Sequence, residues 1–286
     1  MLDSKSYESR VISEWDELIE VFNKFSRSEA QWIFRGHGNS TYCLETNLER
    51  ALKSFRITED ALRIEGGLLR RFKRQCHHYG VNIPESDDIM EWFALMRHYG
   101  APTRILDWSY SFFVALYFAL ENAHPKKGCA VWALNTDWMV ERVKSILGDA
   151  LWQCFKDDEN IRKQTTFKKL FVRKEPIKVV LAITPYRLNE RLTIQQGIFL
   201  CPGDVSKPFE DNLDTLCLSD PDFQGNLIKY EIHSTPETRK DFLNKLRRMN
   251  INRATLFPGL DGFAKSLNTL LASPDILVPD QTWDPY

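Results

Sequence analysis

The sequence predicts an α+β protein, a single compact domain in which helices flank a central, mostly antiparallel sheet, whole or split. Three observations lead there. Phe112, Phe113, Leu116, Ala119 and Leu120 recur at helical spacing straight after a polar corner, the mark of a largely buried helix. Short apolar runs at 129–134, 178–183 and 227–232 read as strands, and helical periodicities lie between them. Across 286 residues no internal repeat and no low-complexity linker divides the chain.

In chain order, Trp15, Leu18, Ile19, Val21 and Phe22 predict an amphipathic N-terminal helix over 13–25, ahead of a core spanning about 28–232. A strand over 31–35 stops at Gly36-His37-Gly38-Asn39-Ser40, a turn-rich cluster. Leu62, Leu68, Leu69 and Phe72 predict a helix over 58–74, whose other face carries Arg63, Arg70, Arg71, Lys73 and Arg74. That run reads as a solvated face or as a local contact for an anion. A helix over 87–97 ends before Tyr99-Gly100, and Pro102 forces an extended exit. Ser109 or Ser111 caps the buried helix that follows. Further on, helices are expected over 138–147 and 161–172 and a strand over 192–200. The polar, Pro-containing stretch 204–225 reads as a loop or lid. The remainder, 233–286, is a helical extension with helices over 236–249 and 261–271.

Composition excludes several classes. Lys and Arg number 38 against 39 Asp and Glu, a net charge of −1, so there is no global basic surface of the kind nucleic acid requires. Six cysteines form no CxxC pair and no zinc-like spacing, which suggests reduced thiols and no metal site. The first residues lack the apolar core of a signal peptide, and no apolar run reaches the ~20 residues that span a bilayer. The expectation is a cytoplasmic protein with no membrane contact. Neither a phosphate-binding GxxxxGK[ST] loop nor a GxGxxG fingerprint occurs, and no GxSxG elbow surrounds either serine.

Polar candidates cluster in two places. Arg35 ends a strand and precedes Gly36, which would let a ligand approach the backbone; an arginine there suits phosphate or a neighbouring carboxylate equally. His37 follows in the exposed turn. The second cluster is His98, Arg104, Asp107, Ser109 and Ser111; Arg104 and Asp107 are read either as site residues or as members of structural ion pairs. Gln195-Gln196-Gly197 interrupts an apolar stretch, where two amides need hydrogen-bond partners or a close backbone approach.

These stretches together resemble the FRG domain family, named for its Phe/Tyr-Arg-Gly motif. The resemblance rests on Trp32 to Gly36, His98 to Trp108, Val114 to Ala119, Arg191 through Gln195 to Gly197 and Phe199, and Asn252 to Gly262. It implies one FRG-type domain over 1–286 and a bacterial or phage-related protein, with a place in defence or a toxin system. A second resemblance, to ADP-ribosyltransferases, rests on Arg35, on Ser109-Tyr110-Ser111 followed by Val114 to Ala119, and on Gln195. It implies an ADP-ribosyltransferase-like core that takes NAD or another nucleotide as co-substrate, with a protein or nucleic-acid acceptor. Arg35, Gly36, His37, His98, Arg104, Ser109 and Ser111 would then bind the nucleotide, and Gln195 or Asp107 would serve the reacting centre. Gln195 stands where that family has a carboxylate, and an amide cannot take a proton as a carboxylate does. A non-catalytic sensor module and a nucleic-acid-acting protein are the alternatives.

Overall fold

The computed structural model describes residues 7–57, 60–80, 82–156, 169–171, 173, 175–185, 189–220, 223–233 and 235–271. Within them a seven-stranded sheet runs through the molecule. Its strands are β1 (Glu8–Ile12), β2 (Trp32–His37), β3 (Leu106–Ser109), β4 (Cys129–Asn135), β5 (Val180–Ile183), β6 (Gly197–Pro202) and β7 (Leu227–Ile232). They lie in the order β1-β7-β4-β2-β3-β6-β5. Only the β1–β7 pair is parallel, so the sheet is mostly antiparallel as expected.

Helices cover both faces. Phe34, Val131, Ala133, Ile228 and Tyr230 point to one side, where α1 (Trp15–Ser26), α5 (Phe112–Glu121) and α9 (Pro236–Arg248) complete a core. Ile33, Trp132, Leu134 and Leu227 point to the other and meet α4 (Ile89–His98), α6 (Thr136–Lys156) and α8 (Phe209–Leu218). This alternation along β2 and β4 is the period-two pattern of a strand buried on both faces. α2 (Asn47–Ser54), α3 (Ala61–Gln75), α7 (Glu190–Ile194), α10 (Arg253–Leu256) and α11 (Leu260–Leu270) close the ends. None of the described helices is long and apolar enough to cross a membrane.

The centre of the fold is the seat of α5 on β2. Ser111 caps α5, its hydroxyl accepting the Val114 N–H at 3.3 Å. A Cβ on Gly36 would lie 2.0 Å from the Ala115 carbonyl oxygen and 2.6 Å from the Ala119 nitrogen. One on Gly38 would lie 2.3 Å from the Asn122 carbonyl oxygen. Gly36 of β2 and the alanines Ala115 and Ala119 of α5, four residues apart on one helix face, are therefore packed together, and Gly38 just beyond the strand receives the end of that helix. The close backbone approach expected at Gly36 is real, and what approaches it is the backbone of α5.

Three expectations need correction. The stretch 204–225 is not all loop: it carries α8, along which Phe209, Leu213, Leu216 and Cys217 are buried, beginning after Pro208, which supplies a fixed φ at a helix start. The strand placed over 192–200 begins only at Gly197; its front half is α7, and Gln196, with φ 48°, makes the turn between them. The predicted helix 138–147 extends to Lys156 across a break at Gly148 (φ 70°). The one predicted over 161–172 falls almost wholly outside the described residues, of which 169–171 are helical.

Candidate functional site

β2 and β3 touch at a single register pair, Phe34 with Ser109. Beyond it the strands diverge: Arg35, Gly36 and His37 pair only with β4, and β3 pairs along its length with β6. A cleft of about 920 Å³ opens at this parting, with Arg35, Asp107, Ser109, Arg191, Gln195 and Phe257 among its walls. A smaller cavity of about 230 Å³ adjoins it, sharing Asp107, Arg191 and Gln195 and adding Arg97 and His98.

Arg35 spans the gap. Its Nη1 donates to the Asp107 backbone carbonyl at 2.5 Å, and its Nε donates to His37 Nε2 at 3.2 Å. Burial lowers its pKa to about 10, against the pull of Asp107 and with the push of Arg97 and Arg50, so it stays charged at neutral pH. His37 lies under it, and burial together with the Arg35 charge holds its pKa down at about 3. It is a neutral acceptor for Arg35, not an exposed loop histidine.

Asp107 carries the carboxylate common to both cavities. Burial raises its pKa, but the charge and hydrogen bonds of Arg97, then the charges of Arg35 and Arg191, prevail and hold it below the usual range. Arg97 Nε reaches Asp107 Oδ2 at 2.7 Å and Arg97 Nη2 binds the same oxygen. The Asp107 side chain keeps 39% of its exposure, so this anion is accessible from the cleft.

The remaining candidates separate. The Ser109 hydroxyl donates to the Gln195 carbonyl at 2.7 Å and accepts the Ser111 N–H at 2.9 Å, tying β3 to α7 at the cleft floor. Gln195 lines the cleft from the C-terminal cap of α7, not from a strand, and its amide donates to the Leu256 carbonyl at 2.8 Å. Ser111 is a helix cap and lies outside the cleft lining. His98 belongs to the smaller cavity, where burial and then the Arg191 charge lower its pKa. Arg104 is removed from both cavities: it is 0% exposed and forms a forked ion pair with buried Glu65 of α3, its Nε reaching both carboxylate oxygens at 2.8 and 2.9 Å. Of its two readings, the structural ion pair is correct. Gly36 serves packing.

Four residues not singled out for the site complete it. Arg97 frames Asp107. Phe257 lies between two guanidiniums, with the Cζ atoms of Arg191 and Arg253 at 4.2 and 4.4 Å from its ring centroid, and Phe118 meets its edge at 5.8 Å. Arg253 Nη1 binds Glu121 Oε2 at 2.7 Å. The signal for them was present, since Arg97 borders the central motif and Arg191, Arg253 and Phe257 lie inside the two later ones.

Residues 30–128 match the family model of the FRG domain, and the chain carries an FRG domain over that span. No curated protein and no solved structure matches the chain. The matched span runs from the residues before β2 to the residue before β4 and contains Arg35, Arg97 and Asp107; Arg191, Gln195, Arg253 and Phe257 are brought to the same cleft from beyond it.

Proposed function

We propose that this FRG-domain chain binds an NAD-like nucleotide in the cleft at the parting of β2 and β3, and cleaves its N-glycosidic bond beside Asp107. The observation that carries the reading is one juxtaposition: an accessible carboxylate, held ionised by Arg97, beside a wall of guanidinium and phenyl groups. Guanidiniums suit phosphates, aromatic faces suit bases, and a fixed anion suits the positive charge that develops on a ribose as its glycosidic bond breaks. The sequence resemblance to ADP-ribosyltransferases points the same way and placed the reacting role on Gln195 or Asp107. The Gln195 amide is turned to the Leu256 carbonyl, so Asp107 takes that role.

The chemistry asks little of the protein. When the C1′–N bond breaks, the electron pair goes to nicotinamide, which leaves as a neutral base and needs no proton from a general acid. Water, or a nucleophile on an acceptor, then bonds to C1′ and releases a proton. Asp107 stabilises the cationic sugar without changing its own protonation.

A second reading, binding without turnover, draws on the pairing of every acid in the cleft. Asp107 is held by Arg97, Glu121 by Arg253, Glu45 by Arg50 and Lys53, and Asp261 by Lys265. Among the described residues lining the cleft, no carboxylate without a cationic partner stands ready to activate water.

Chromatographic detection of nicotinamide after incubation with NAD separates the readings. Cleavage predicts release by the wild type and a loss of about 100-fold or more in Asp107→Asn, the scale of removing one transition-state partner. Saturable NAD binding without nicotinamide, even with host lysate as acceptor, selects the sensor reading. Absence of both binding and release removes the nucleotide assignment.

A further inference from the structure

We infer that Arg191 is the phosphate anchor of this cleft, with Arg253 and Phe257 holding it in place. The inference builds on the nucleotide reading and names the subsite for the ligand's phosphate or pyrophosphate.

The arginines around the cleft differ in what already engages them. Arg35 faces the cleft but already bridges β2 to the Asp107 carbonyl and to His37. Arg97 is committed to the Asp107 carboxylate. Arg253 binds Glu121, and among the described residues its buried Nε has no hydrogen-bond partner. Arg191 differs from all three. Among the described residues its guanidinium has no hydrogen bond and no ion pair; its one close partner is the face of Phe257. It is half-buried at the junction of the 920 Å³ and 230 Å³ cavities, lining both. Burial lowers its pKa, Asp107 raises it, and Arg97 and Arg253 lower it further, so its surroundings favour an added anion.

The Arg191 guanidinium, open to the cleft and held against an aromatic face, keeps its charge and its N–H groups available to an incoming anion. A phosphate supplies what is missing: charge, and paired oxygens that match the guanidinium fork. Phe257 fixes two such forks within 4.4 Å of one ring, so little side-chain entropy is lost when the anion arrives.

The test is calorimetric titration of inorganic pyrophosphate and of NAD into the wild type, Arg191→Gln and Arg191→Lys, with melting temperatures as the fold control. Pyrophosphate is expected to bind the wild type and to bind Arg191→Gln at least about tenfold more weakly, as loss of a charge-assisted pair requires. Arg191→Lys, which keeps the charge and loses the fork, is expected to fall several-fold, and it carries the test if the glutamine variant does not fold. Pyrophosphate affinity that is unchanged in the variants, or absent in the wild type, overturns the inference. NAD that binds wild type and Arg191→Gln equally leaves the nucleotide reading standing and removes Arg191 as its anchor. Pyrophosphate that binds through Arg191 while NAD does not bind leaves the anchor standing and removes the nucleotide.

Discussion

Replacing Gly36 with alanine puts a methyl carbon 2.0 Å from the Ala115 carbonyl oxygen and 2.6 Å from the Ala119 nitrogen. Ordinary contact begins near 3.4 Å, so β2 and α5 must separate by about 1.4 Å along that line. Both obstacles are backbone atoms, and no rotamer change relieves them. Overpacking of a well-packed core costs roughly 1–3 kcal/mol, and with two backbone clashes the upper value, about 3 kcal/mol, is the appropriate one. At roughly 2–4 °C per kcal/mol for a chain of a few hundred residues, the melting temperature should fall by about 6–12 °C. Because Arg35 precedes Gly36 on the same strand, affinity for ligand in the cleft should fall with it. Gly66, in the interior of α3, is the internal control: a Cβ there meets nothing within 4 Å. Gly66→Ala should therefore stabilise the protein by up to about 1 kcal/mol, the helix-propensity difference. Circular dichroism melts of both variants decide the matter. A fall of less than about 2 °C in Gly36→Ala would show that the helix is not seated on that glycine, and the account of the Arg-Gly motif would be wrong.

Other outcomes follow from named contacts. Glu65→Gln should cost about 3–5 kcal/mol by removing the carboxylate that pairs with the fully buried Arg104, read by urea denaturation, while any surviving folded protein keeps its affinity for cleft ligands. Asp107 has its folded pKa lowered, so its stabilisation is present above the unfolded value of 3.8 and is lost as pH falls through the folded one. The stability gap between wild type and Asp107→Asn should accordingly be constant from pH 5 to 8 and close below pH 4 in parallel denaturation curves. His37, also lowered, to about 3 from 6.5, favours the folded state above pH 6.5, and the unfolded chain takes its proton as pH falls below that. Between pH 6.5 and pH 4 the wild type should lose stability faster than His37→Gln, and equal slopes would contradict a buried neutral histidine. Ser111→Ala should cost about 1 kcal/mol through the lost cap of α5.

What could be read from the sequence had a local physical signature. The α1, α4 and α5 periodicities and the apolar strands β4, β5 and β7 declare themselves because burial is written into neighbouring residues. β1 does not: Glu-Ser-Arg-Val-Ile is a polar edge strand whose parallel partner, β7, lies more than two hundred residues away. The Arg104–Glu65 pair was hidden for the same reason, since its two charges are 39 positions apart and Glu65 sits within a helix whose arginines suggest a solvated face. Arg35, Asp107, Ser109 and Gln195 line one cleft, and each was locally conspicuous in the sequence as a strand end or an amide in apolar surroundings. Their hydrogen-bond partners were not legible. The Gln195 side chain answers to a carbonyl 61 residues onward, and the division of labour among four arginines depends on what each one meets: a carboxylate for Arg97 and Arg253, a backbone carbonyl and His37 for Arg35, the Phe257 ring for Arg191.

Calorimetric titration of NAD into the wild-type protein, repeated with Asp107→Ala, tests the central claim most directly. The account predicts one saturable site per chain in the wild type. It also predicts an altered affinity in the variant, whose loss of the carboxylate frees Arg97 and removes the anion shared by both cavities. Absence of saturable heat in the wild type up to millimolar NAD would contradict it.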